Sequence, residues 1–239
     1  MYCRRFLTFS LILTAVLLTV FLQCNTVSSK DTVSKLEMTA YPEDKIQSYV
    51  RELSLRYLSE EPPPSSLCCF DVCEDGRIAV GFQNEKIAVY SPQGTFLYGF
   101  SFDASGSFSL LWNDGNICIY FMRSDILATF DAEGTCVGFA KLIQSYNNQE
   151  IVRNEIDVTK RQVGEIQYSL ENDLPISVGA ARLVAQYADG TRKVIYDATS
   201  AHNTATMLVS LVLIAFFIGI ILYLIQKYRK RYTNRWRWI

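Results

Sequence analysis

The stretch Met207–Ile225 reads MLVSLVLIAFFIGIILYLI, with no charge and Ser210 as its only strongly polar side chain, and this limits what the chain can become. As an α-helix it is roughly 28 Å long, close to the ~30 Å hydrocarbon thickness of a bilayer. Its Leu, Ile, Val and Phe side chains each favour mid-membrane placement by about 0.3–0.6 kcal/mol. A water-soluble helix of this length would keep a polar face, and this one has none. The sequence therefore predicts a transmembrane helix over 207–225. The tail 226–239 carries six basic residues and no acid: Lys227, Arg229, Lys230, Arg231, Arg235 and Arg237. Such a flank marks the cytoplasmic side, and Trp236 and Trp238 between the arginines read as anchors at the inner headgroup level. Within the span, Ala215 and Gly219 form a small-residue pair that would let another helix approach closely.

The other end of the chain is similar. A basic start, 1–5, with Arg4 and Arg5, precedes an apolar run from Phe6 to Leu22. At ~25 Å this run is long enough for a retained signal-anchor. A cleaved signal peptide, with Val27-Ser28-Ser29 as the cleavage region, is the alternative. Basic residues lie on the outer flank of both runs, so both termini are expected in the cytoplasm and residues 23–206 outside the plasma membrane. All 24 Asp and Glu fall between Asp31 and Asp197, against 15 Lys and Arg from Lys30 to Lys193, so residues 30–197 carry −9. An acidic centre argues against a nucleic-acid partner. Basic tails beside apolar runs suit anionic headgroups instead.

Between the two runs, residues 23–41 read as a polar tether, 61–66 as a Pro-rich linker and 198–206 as a second linker. Residues 42–60 predict an amphipathic helix. Pro42 suits the start, Glu43 and Asp44 match the positive end of the dipole, and Ile46, Tyr49, Val50, Leu53 and Tyr57 share a face. From Leu67 to Asp197 the period becomes two, with turn signals between short apolar runs. Asp75-Gly76 recurs about 39 residues later as Asp114-Gly115, Ile78 as Ile117, and Gly94-Thr95 as Gly134-Thr135. A fainter third copy places Tyr187, Gly190 and Thr191 against Phe130, Gly134 and Thr135. Residues from Leu142 to Gln167 read as a long polar loop or irregular strands.

A four-strand unit of about 40 residues resembles a β-propeller blade. The resemblance implies an antiparallel meander of two to three blade-like sheets between the two membrane helices, an incomplete propeller-like body that is mainly β. Closure by oligomerisation, a small sandwich and an open stack are the ways such a body could end. Phe96, Tyr98, Phe100 and Phe102 alternate along one strand and are expected in the core.

No catalytic or nucleotide-binding motif occurs. His202 is the only histidine and lies outside the repeat, which argues against a His-based triad. Cys68, Cys69, Cys73, Cys118 and Cys136 lack the spacing of a zinc site, so no metal and no cofactor are expected. The expected function is a membrane-anchored, non-enzymatic interaction or scaffold module. Its partners would be the lipid bilayer and a protein or cell-envelope component. A sensory ectodomain acting through a membrane partner is the alternative, and an envelope enzyme a second one. The ligand, the oligomeric state and the disulfide status of the five cysteines are not fixed by the residues.

Overall fold

The computed structural model describes residues 29–104, 106–172 and 179–235. The expected spans of Arg4, Arg5 and the run Phe6–Leu22 lie outside them, as do Trp236, Arg237 and Trp238. The described chain is mainly β: three antiparallel sheets and one long C-terminal helix.

The first sheet is the meander β3 (Leu67–Val72), β4 (Ile78–Phe82), β5 (Lys86–Tyr90) and β6 (Phe96–Ser101), with β2 (Arg56–Leu58) added beside β6. The second repeats this order as β7 (Phe108–Asn113), β8 (Asn116–Phe121), β9 (Ile126–Phe130) and β10 (Cys136–Leu142), with β1 (Met38–Ala40) beside β10. The third is β11 (Lys160–Val163), β12 (Ile166–Glu171), β13 (Arg182–Gln186) and β14 (Arg192–Asp197). The blade-like order expected from the turn signals is thus present three times, and the third copy is complete. Its first two strands fall within or run past the region read as a loop. There Arg161 points inward, and a buried cation breaks the apolar alternation on which strand reading depends.

The sheets stack. The first is the middle layer: Ala79, Ile87, Val89 and Phe100 pack against Leu110, Ile119 and Ala128 of the second, while Phe70, Ile78, Val80 and Tyr90 pack against Tyr168, Leu183 and Ala185 of the third. A sheet covered on both faces loses the polar half of its alternation, which is why β4 and β5 read as nearly continuous apolar runs. The outer face of the second sheet (Leu111, Cys118, Tyr120, Leu127) is covered by α1 (Ser29–Lys35), α3 (Tyr146–Ile151) and a π-turn (Val152–Ile156). These helices stand where another sheet would otherwise be needed.

The inner strands of all three sheets meet at Asp71, which is fully buried. Its Oδ2 accepts from the Trp112 backbone N–H at 2.6 Å, and its Oδ1 lies 2.7 Å from Nε of Arg161. The Trp112 indole N–H donates to the Asp71 carbonyl at 3.3 Å. Arg161 also reaches the Glu155 carbonyl through Nη2 at 2.8 Å. Burying a carboxylate costs several kcal/mol unless it is paired and hydrogen-bonded, and here one group from each neighbouring sheet does that.

Several boundaries differ from expectation. The amphipathic helix is α2 (Glu43–Leu53), not 42–60, because Ser54 turns left-handed at φ 46° and ends it. Its Tyr49 packs edge-on against Phe121 and Phe139, and Tyr57 stacks on Tyr98 from β2 instead of continuing the helix face. The tether contains α1 and β1. Of the four alternating aromatics, Tyr98, Phe100 and Phe102 face the second sheet, but a bulge in the β5–β6 pairing turns Phe96 toward the third. No disulfide joins the five described cysteines. Burial raises the Cys69 thiol and pushes Cys118 up to about 11, so both behave as core fillers.

Gly99 on β6 supplies a first test. A Cβ there would overlap the carbonyl oxygen of Ile87 in the neighbouring strand. Gly99→Ala should destabilise the fold by about 1–3 kcal/mol, read as a lower midpoint in denaturant. An unchanged midpoint would mean the strands can separate freely at this point.

Candidate functional site

Two features occupy one end of the stack. The first is the root of α4 (Thr199–Arg235), a helix of 37 residues. The stretch expected as a linker, 198–206, is instead its first turns. Ala198 and His202 are buried, and Nδ1 of His202 lies 2.8 Å from the Ser66 hydroxyl, just before β3. Asp197 caps the start by accepting from the Thr199 N–H at 2.8 Å. Thr199, through its hydroxyl first and its N–H second, holds the Asp197 carboxyl below the usual carboxylate range. A depressed carboxylate supports the folded state above its unfolded pKa, and that support disappears as pH falls through the folded value. Amide exchange at 199–203 should therefore rise below about pH 4 and stay low at neutral pH. An Asp197→Asn variant should show less of this acid response.

Beyond the root, Thr199–Gln226 is long and apolar enough to cross a membrane, with mean hydropathy 3.0 over its most apolar window and none of that window buried. Met207, Phe216 and Tyr223 are each more than 60% exposed. Gly219 has open space around it, and Ala215 lies one turn before it on the same helical face. Lys227, Arg229, Lys230, Arg231 and Arg235 continue the same helix.

The second feature is a cleft of about 480 Å³ beside the second sheet. Its floor is Tyr120, Asp125 and Leu142, and one wall is the α3–π-turn segment with Gln149, Val152, Arg153 and Asp157. Asp125, in the left-handed region at φ 55°, accepts from the Tyr120 hydroxyl at 3.0 Å and from Nε2 of Gln144 at 3.1 Å. Burial, then the bond to Asp125, raises the Tyr120 hydroxyl well above its ordinary value, so it remains a donor. Asn148 fixes the wall. Its side chain donates to the carbonyls of Glu37 and Ile143 and accepts from the Glu37 N–H, with all three distances between 2.8 and 2.9 Å. Arg153 and Asp157 form no ion pair among the described residues, and both are exposed.

The two features face the same way. A Cβ on Gly81 would meet Cys69 and the Phe108 ring, while Asp71 meets Trp112, so β3 and β7 run side by side in one direction. The helix root touches the start of β3. Asp125 and Leu142, joined by a 2.8 Å backbone bond, lie at the start of β7. Sequence reasoning placed the long apolar helix but missed the cleft. Its charged residues sit in SYNNQEIVRNEID, where a π-turn erases helical periodicity.

No family model matches the chain, and no curated protein matches it. Among solved structures, a catalytically inactive virginiamycin B lyase from Staphylococcus aureus with quinupristin aligns with 10% identity and a TM-score of 0.28. The alignment covers 59% of this chain and 44% of that one, so the chain spans under half of that protein's length. A likeness this slight carries no argument about activity. Among the described residues, no group of three or more His, Cys, Asp or Glu could hold a metal.

Proposed function

We propose that this is a membrane-anchored protein whose three-sheet body lies outside the plasma membrane and works by binding, as a non-enzymatic interaction or scaffold module for a protein or cell-envelope component. The reading is supported above all by α4, whose apolar side chains from Met207 to Ile225 are exposed, with nothing among the described residues to cover them. Exposing such a helix to water would forgo about 25 cal/mol for each Å² of apolar surface. The acidic middle and basic flanks support an extracytoplasmic body with both termini inside. Phe6–Leu22 would then be a second, N-terminal anchor. The test is alkaline carbonate extraction together with protease accessibility in intact cells. The protein should remain in the membrane, and the β-body should be digested without breaking the cells. Digestion only after lysis would overturn the topology.

A sensory role is the second reading, favoured by the buried helix root. With His202 packed under Ser66 and no slack between β14 and α4, movement of the third sheet would tilt the helix.

A further inference from the structure

We propose that the cleft beside the second sheet binds the headgroup of a phospholipid carrying a phosphate and a primary amine, the phosphoethanolamine class. This inference rests on the membrane reading above. Position supports it first. Five residues separate buried His202 from Met207, about 7.5 Å of helix rise. That is comparable with the headgroup layer, about 5–8 Å on each side of the hydrocarbon. The end of the stack that holds the helix root would therefore rest among headgroups, and Asp125 and Leu142 of the cleft lie at that same end. Stacked sheets lie about 10 Å apart, so it sits two layers, roughly 20 Å, to the side of α4.

The rim has the character of an interface. Ile143, which lines the cleft, is 42% exposed, and Tyr146, at the start of α3, is 75% exposed. Tyrosine and aliphatic side chains at this depth gain by entering the headgroup boundary.

The charges then select the ligand. Arg153 is a guanidinium without an ion-pair partner among the described residues, suited to two phosphate oxygens. Asp157 and Asp125 place carboxylates in the same cleft, and Gln149 offers an amide. A primary ammonium can donate to both carboxylates. A quaternary ammonium has no donor and needs an aromatic cage, which the cleft lacks, since Tyr120 is the one aromatic side chain among its described lining residues. A headgroup with net negative charge would meet two carboxylates and one cation. The zwitterion with both a phosphate and an amine fits best.

The test uses the full chain reconstituted in vesicles of equal parts phosphatidylethanolamine, phosphatidylcholine and phosphatidylglycerol, then released in mild detergent for native mass spectrometry. Phosphatidylethanolamine should be retained about tenfold over the others, a preference lost in Arg153→Ala and in Asp157→Asn. Lys193→Ala, on the third sheet, should keep it. As a second measurement, amide protection of 143–153 should be higher in phosphatidylethanolamine bilayers than in phosphatidylcholine. Equal retention of the three lipids, or unchanged preference in both cleft variants, overturns the proposal. Full competition by millimolar soluble phosphoethanolamine would make the ligand a soluble metabolite and overturn it as well. Release of the protein by carbonate would sink the membrane reading itself. A protein that stays embedded but shows no lipid preference sinks the cleft alone.

Discussion

Replacing Asp71 by Ala should lower stability by about 3–5 kcal/mol, the cost of leaving a buried cation without its counter-charge. For a body of this size that is on the order of 10 °C in Tm. The size of the effect follows from position. Asp71 has no exposure, Arg161 almost none, and the same carboxylate satisfies the Trp112 N–H across the sheet boundary. Losing it strands a charge from the third sheet and a backbone donor from the second at once. The informative partner is Arg161→Met, which removes the charge but keeps the stem. If the pair is the essential unit, Asp71→Ala with Arg161→Met should be less damaged than the sum of the singles. Thermal unfolding of the three variants in detergent would read this directly. Additive losses would show that Asp71 acts independently of Arg161.

The second large effect concerns α4. Arginine costs about 2.5–3.5 kcal/mol at mid-span, so Phe216→Arg with Ile220→Arg costs about 6 kcal/mol, comparable with the whole insertion energy of the segment. The C-terminal tail should then lose the protected, cytoplasmic position proposed for it. Protease mapping adds a distinction. A retained N-terminal anchor would keep the protein in the membrane with its tail on the wrong side, whereas a cleaved signal would leave it soluble. A tail still protected in the double variant would show that something other than the apolarity of α4 sets its position. Val194→Arg, on the exposed face of the third sheet, should change neither outcome.

How far the residues announced this arrangement depended on how regular the local physics was. Asp75-Gly76 and Asp114-Gly115 marked true strand turns, with Gly76, Asp114 and Gly115 all at positive φ, and the repeat they bound was legible. The long apolar helix around Phe216 was legible from composition alone. The end of α2 was not, because Tyr57 continues the helical spacing by coincidence and only the left-handed Ser54 stops it. Residues 198–206 looked like a linker because their cohesion comes from Ser66, distant in sequence. The cleft was invisible for a related reason. Arg153 and Asp157 become neighbours of Tyr120 and Asp125 only once α3 and the π-turn fold over the second sheet.

The two added strands, β1 and β2, set the order of events when the chain is made. Met38 pairs with Leu142 and Arg56 with Ser101, so the earliest part of the body waits for strands synthesised much later. Such distant pairings are slow to form. During synthesis, residues before β3 would emerge first and stay unpaired until β6 and then β10 follow, and this leading segment is the one a chaperone or a premature protease would meet.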